Sequence, residues 1–153
     1  MGLRARFAAE AAIGAIGAIY FVTWRVRIGQ PGLSAAERDA SVNAIRHFDQ
    51  IRYVLHAYVV MNDHVHVMVE PVCDFPLETI LHAWKSFTAN QLQRQHGRLG
   101  AVWQDEYFDR VLRDETEYLQ KRDYILHNPL KRWPDIGAYP WRWAIGSDPS
   151  GVR

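Results

Sequence analysis

The 153-residue chain lacks most of the features that announce a function class outright. It has one cysteine, Cys73, which excludes an intrachain disulfide and a thiolate zinc cluster and points to a reducing cytoplasmic setting. Eighteen Lys and Arg against 17 Asp and Glu leave a net charge of only +1. No overall cationic field is available to attract a polyanion, so any nucleic-acid site has to be a local patch. No apolar run reaches the roughly 20 residues that cross a bilayer, so no membrane contact is expected. Arg4 and Arg6 ahead of the apolar stretch from Ala11 to Ile19 imitate a secretory leader, but Glu10 breaks the pattern. Residues 1–19 therefore read as an N-terminal extension, either a start-site extension or a helix. Internal repeats and low-complexity tracts are also missing. What remains is ordinary for a globular protein, 48% hydrophobic and 23% charged. That is enough for one core-bearing domain over residues 20–145, followed by a tail over 146–153.

Hydrophobic periodicity divides the domain into alternating strands and helices. Tyr20 to Arg27 is rich in aromatic and β-branched residues and reads as a strand. Ser34, with Glu37 three residues on, forms a capping box for a helix to about Gln50. Tyr53 to Met61 and His64 to Val69 read as a hairpin around Asn62-Asp63, ended by Pro71. A second helix covers Leu77 to His96, with Gly97 as its stop, and Trp103 to Leu112 contains a fourth strand. Asp114 caps a third helix that is expected to stop at Asn128-Pro129, because proline disfavours helical geometry in the residue before it. The tail, with Trp133, Trp141 and Trp143, reads as irregular but aromatic enough to pack. The order predicts an α+β fold, an antiparallel sheet with helices packed on it.

The most informative segment is His64-Val65-His66. Side chains on a strand alternate, so both imidazoles leave the same face and make half of a divalent-metal site. Candidates to complete it lie at the end of the third helix: Tyr124, His127 and Asn128. Tyr124 and Asn128 are four residues apart and share a helix face. Mg²⁺ or Mn²⁺ accepts oxygen ligands, and Mn²⁺ also tolerates two imidazoles. Such an ion would polarise a phosphoryl oxygen, and a tyrosine hydroxyl could then attack phosphorus. Lys85, Arg110, Arg113, Lys121 and Arg122 are the candidate phosphate-tracking cations, although each taken singly is more often a solvated charge. His82 shares a helix face with Lys85.

In this combination the chain resembles the single-tyrosine HUH transposases, and specifically the REP-associated tyrosine transposases. His64-Val65-His66 matches the family's His-hydrophobic-His strand, and Asp123-Tyr124-Ile125-Leu126-His127-Asn128-Pro129 matches its tyrosine motif. Trp103-Gln104, Tyr107-Phe108-Asp109-Arg110-Val111 and Arg113-Asp114-Glu115 resemble the block before it, so the likeness runs from about Tyr20 to Trp143. Met61-Asn62-Asp63 stands where the family commonly has Met-Pro-Asn.

The resemblance implies a ferredoxin-like HUH fold with Tyr124 as nucleophile and His64, His66 and Asn128 as metal ligands. It implies cleavage of single-stranded or hairpin DNA at palindromic elements, through a 5′-phosphotyrosine, by a monomer or homodimer working at the nucleoid. The rival readings are a non-catalytic nucleic-acid-binding descendant of the fold and an HUH replication initiator or relaxase. A cupin would need many more strands and fewer helices. A histidine-triad hydrolase would need a third histidine at position 68, which is methionine. Tyr118 is the alternative nucleophile but lacks an amide four residues on. The tryptophans read as core or tail-docking residues rather than base-stacking platforms.

Overall fold

A computed structural model describes residues 17–72 and 74–147. Most of the proposed N-terminal extension and of the 146–153 tail lies outside them. The elements are β1 (Ile19–Val26), α1 (Ala35–Arg46), β2 (Tyr53–Val60), β3 (His64–Pro71), α2 (Leu77–Gln95), β4 (Trp103–Leu112), α3 (Glu115–Arg132) and β5 (Arg142–Ala144). The strands form one antiparallel sheet in the order β4-β1-β3-β2-β5. Its first four strands have the split β-α-β order of a ferredoxin-like fold, so the α+β expectation holds.

Period-two alternation divides the sheet into two cores. Val22, Trp24, Val65, Val67 and Val69 point toward α1 and α2, where they meet Ile45, Leu81, Trp84 and Leu92. Phe21, Val59 and Met68 point the other way and meet Ile125 and Tyr118 of α3. The histidines of β3 therefore lie on the α3 face. Two bulges adjust the pairing. Between Leu55 and Ala57 of β2 the register steps past His56, and β4 advances from Trp103 to Tyr107 while β1 advances only from Val26 to Trp24.

The capping box is present: the Ser34 hydroxyl accepts from Glu37 N–H, and the Glu37 carboxylate accepts from Ser34 N–H. Glu37 also holds Arg98, whose guanidinium donates to both carboxylate oxygens at 2.5 and 2.9 Å and to the Pro31 and Gly32 carbonyls. This pair fastens the start of α1 to the loop after α2.

Three boundaries differ from the sequence reading. Helix α1 ends at Arg46 rather than about Gln50. The Tyr53 hydroxyl donates to the Ile45 carbonyl at 2.5 Å, while Asp49 N–H turns to Arg46 instead. Gln50 then adopts φ 72°, which no helix continues through. Helix α3 runs through Asn128 and Pro129 to Arg132. Pro129 gives up one intrahelical bond, but its carbonyl accepts from Trp133 N–H at 2.8 Å, and its ring is buried. The tail is not wholly irregular: Arg142–Ala144 adds a fifth strand beside β2. Tyr139 locks it by donating to the Val60 carbonyl at 2.6 Å. Trp103 is buried and Trp133, Trp141 and Trp143 pack against the two cores, as the docking reading expected.

Candidate active site

His66 sits on the central strand with only 4% of its surface exposed. Its Nδ1 lies 2.7 Å from the hydroxyl of Thr23, its register partner on β1. Its Nε2 is buried and without a hydrogen-bond partner. Burial first, then the charges of His64, Arg25 and Lys121, push its pKa down from 6.5 to about 3, with Asp63 opposing. The ring is therefore a neutral base at neutral pH, the form a metal ligand requires.

His64, two residues back on the same face, has its ring centroid 4.6 Å from that of His66. Its Nδ1 is 2.6 Å from Oδ1 of Asp63. A carboxylate only accepts, so Nδ1 carries the hydrogen, and in the neutral ring that tautomer has its lone pair on Nε2. The other Asp63 oxygen accepts from Arg132 at 3.3 Å. Burial pushes the Asp63 carboxyl up, but the contacts with His64 and Arg132 outweigh it and hold the group below its usual range.

Tyr124 faces this pair from α3. Its ring lies 5.3 Å from His66 and 6.1 Å from Phe21, centroid to centroid, and 42% of the residue remains exposed. Lys121 and Lys131 place their ammonium groups 5.8 and 5.9 Å from the tyrosine ring. A groove of 630 Å³ opens between α3 and the β1–β4 side of the sheet, bounded by Thr23, His66, Phe108, Lys121 and Tyr124. Asn128 is buried one helical turn beyond Tyr124, and the unbroken helix keeps the two on a common face.

The donor set suits a hard or borderline cation. Two imidazoles whose Nδ1 atoms are engaged by Asp63 and Thr23 have the outer-shell arrangement that fixes metal-binding histidines. The unpartnered Nε2 of His66 is a buried polar atom that calls for a partner. Among the described residues no cluster of three or more His, Cys, Asp and Glu could hold an ion. The histidine pair thus offers two nitrogens beside a groove with room for substrate oxygens.

The other sequence candidates are dispersed. Lys85 donates to the Gln104 and Asp105 carbonyls of β4 at 2.8 and 3.0 Å, in a separate groove that His82 also lines. Arg110 is paired with Glu117, and Arg113 is exposed at the entry to α3. Arg122 donates to the Ile145 carbonyl at 3.2 Å. His127 is exposed, its ring 2.9 Å from the Asp123 carbonyl. Only Lys121 joins the histidines and Tyr124. Sequence reasoning missed Thr23 and Lys131 and took Asp63 only as a turn residue. The adjacency of Asp63 to His64 was a usable signal, whereas Thr23 depends on the β1–β3 register, which no local pattern specifies.

Residues 35–128, the span that holds both histidines, Tyr124 and Asn128, match the IS200-like transposase family. The chain belongs to that family. An REP-associated tyrosine transposase, solved bound to a REP hairpin, has the same fold. Its TM-score is 0.69 at 22% identity, covering 82% of this chain and 76% of the other. A crystal structure from Deinococcus radiodurans R1 described as that of a transposase gives 0.54 at 20% identity, covering 71% and 88%. An uncharacterised Haemophilus influenzae protein is 29% identical across 54% of this chain, and the chain spans 57% of that relative's length. No helix among the described residues is long and apolar enough to cross a membrane.

Proposed function

We propose that this transposase cleaves and rejoins single-stranded or hairpin DNA in a metal-dependent reaction with Tyr124 as nucleophile, as the REP-associated branch does. The observation that carries the reading is the approach of Tyr124 to His66, 5.3 Å between rings, with two lysines beside the tyrosine. A tyrosine hydroxyl ordinarily titrates near pH 10, so it needs nearby positive charge to become a competent nucleophile.

Lys121 and Lys131 supply part of that charge and draw the DNA backbone toward the tyrosine. His64 and His66, with Asn128, would hold Mg²⁺ or Mn²⁺, which supplies Lewis-acid polarisation of the scissile phosphate. Thr23 and Asp63 keep the two imidazoles oriented. The Tyr124 oxygen forms a bond to phosphorus and yields its proton to solvent. The bond to the 3′ oxygen breaks, and that oxygen leaves as a hydroxyl after taking a proton. The 5′ end stays on the tyrosine until a 3′ hydroxyl attacks and reverses the step, so no nucleotide is consumed. The partly exposed tyrosine suits a strand that must enter and leave. The likeness in fold to a protein bound to a REP hairpin favours a substrate of that kind.

The test is covalent trapping. Wild-type protein with Mn²⁺ and a REP-type hairpin oligonucleotide should give a denaturant-stable DNA adduct, mapped to Tyr124. Tyr124→Phe should bind the same DNA and form none. An adduct that survives in Tyr124→Phe, or maps to Tyr118 or Tyr107, would overturn the assignment. Binding without cleavage by wild type would favour the non-catalytic reading.

A further inference from the structure

We propose that Phe108 is a stacking platform for a nucleobase next to the phosphate presented to Tyr124; this rests on the function proposed above. Phe108 pairs across the strands with Thr23, and Thr23 pairs with His66. Cross-strand partners project from the same face, so the three residues form one row from the outer strand to the histidine pair. Two strand spacings put Phe108 about 10 Å from His66, measured along the backbone row. The phenyl is 56% exposed and belongs to neither core. It lines the groove that holds Tyr124.

Charge around the groove gives the strand an orientation. Lys121, beside Tyr124, and Arg25, the register partner of His64, supply cations on the side of the histidines. Glu106 lies on the β4 side, two residues from Phe108, and repels phosphate there. The DNA backbone therefore follows Lys121 and Arg25, and the base turns outward onto Phe108. A neutral aromatic face suits any base, and the Glu106 carboxylate can accept only from a base N–H.

The experiment uses full-length protein carrying Tyr124→Phe, so that turnover does not interfere. The probe is a hairpin with oligothymidine arms of about 10 nucleotides, within the span such sites cover. 5-Iododeoxyuridine is placed at each arm position in turn. Irradiation should crosslink one arm position to Phe108. Phe108→Ala should weaken binding about tenfold, and Phe108→Tyr should restore it. An abasic nucleotide at the crosslinked position should cost wild-type Phe108 a similar factor and cost Phe108→Ala little more, since the two changes remove one contact. Binding and crosslinks elsewhere, with Phe108→Ala unaffected, would overturn the platform and leave the functional reading standing. No binding to any such hairpin by protein with Phe108 intact would overturn the functional reading, and the platform with it.

Discussion

The Thr23 hydroxyl stands 2.7 Å from Nδ1 of His66, while the other nitrogen of that ring is buried with no partner. One side of the imidazole is thus fixed and the other is left free to bind. Thr23→Val keeps the shape and removes the contact. Mn²⁺ affinity should fall by about 10- to 100-fold, the usual cost of losing an outer-shell partner. Calorimetric titration of both proteins checks this, and equal affinities would remove Thr23 from the site.

His64→Ala and His66→Ala should each abolish DNA cleavage, because a single imidazole and an amide hold a divalent ion poorly. Excess chelator should do the same to wild type, with activity returning on addition of Mg²⁺ or Mn²⁺. Full cleavage in chelator would rule out the metal dependence.

Salt should weaken DNA binding, with a slope near −0.7 per phosphate neutralised on a single strand. Lys121→Ala should reduce that slope by about 0.7, since its ammonium lies beside the Tyr124 ring. Arg110→Ala should change it less, because Glu117 already balances that charge. Binding isotherms over a range of salt concentrations separate the two, and an unchanged slope in Lys121→Ala would take that lysine off the DNA path.

Acid should destabilise the fold through Glu37. Its hydrogen bond with Arg98 is the main influence lowering the carboxyl from an ordinary 4.5 to about 2, against the opposing effect of burial. A carboxylate depressed in the folded state contributes fully above its unfolded pKa. The contribution, roughly 3 kcal/mol, is lost as pH falls from about 4.5 toward 2. Arg98→Ala should cost roughly 3–5 kcal/mol at neutral pH, because it strands a buried charge. Urea unfolding of wild type and Arg98→Ala at pH 7 and pH 3 should show a smaller gap at the lower pH.

The parts of the fold and site legible in the sequence were those governed by local pattern. The Ser34–Glu37 capping box, the hairpin around Asn62-Asp63 and the common face of His64 and His66 need only near neighbours. What escaped depends on distant pairing. Helix α1 stops where Tyr53 takes a carbonyl, β5 exists because β2 has an open side, and α3 survives Pro129 because the next turn closes behind it. The same division runs through the site. The spacing of Tyr124 and Asn128 was visible, whereas Thr23 and Lys131 entered only once the sheet and α3 were packed. Lys85, a plausible DNA contact by charge alone, turned out to spend two donors on β4.

That last contact bears on solubility. Strand β4 is one of the two outer strands of the sheet, and such a strand invites any extended segment to pair with it. Here the bulge interrupts the even spacing of its backbone groups, and Lys85 occupies two carbonyls within the irregular stretch. Asp105, Glu106 and Asp109 add like charges that a second copy would have to bring together. This margin of the sheet is in this way a poor template for stacking into fibres, even with an aromatic such as Phe108 displayed upon it.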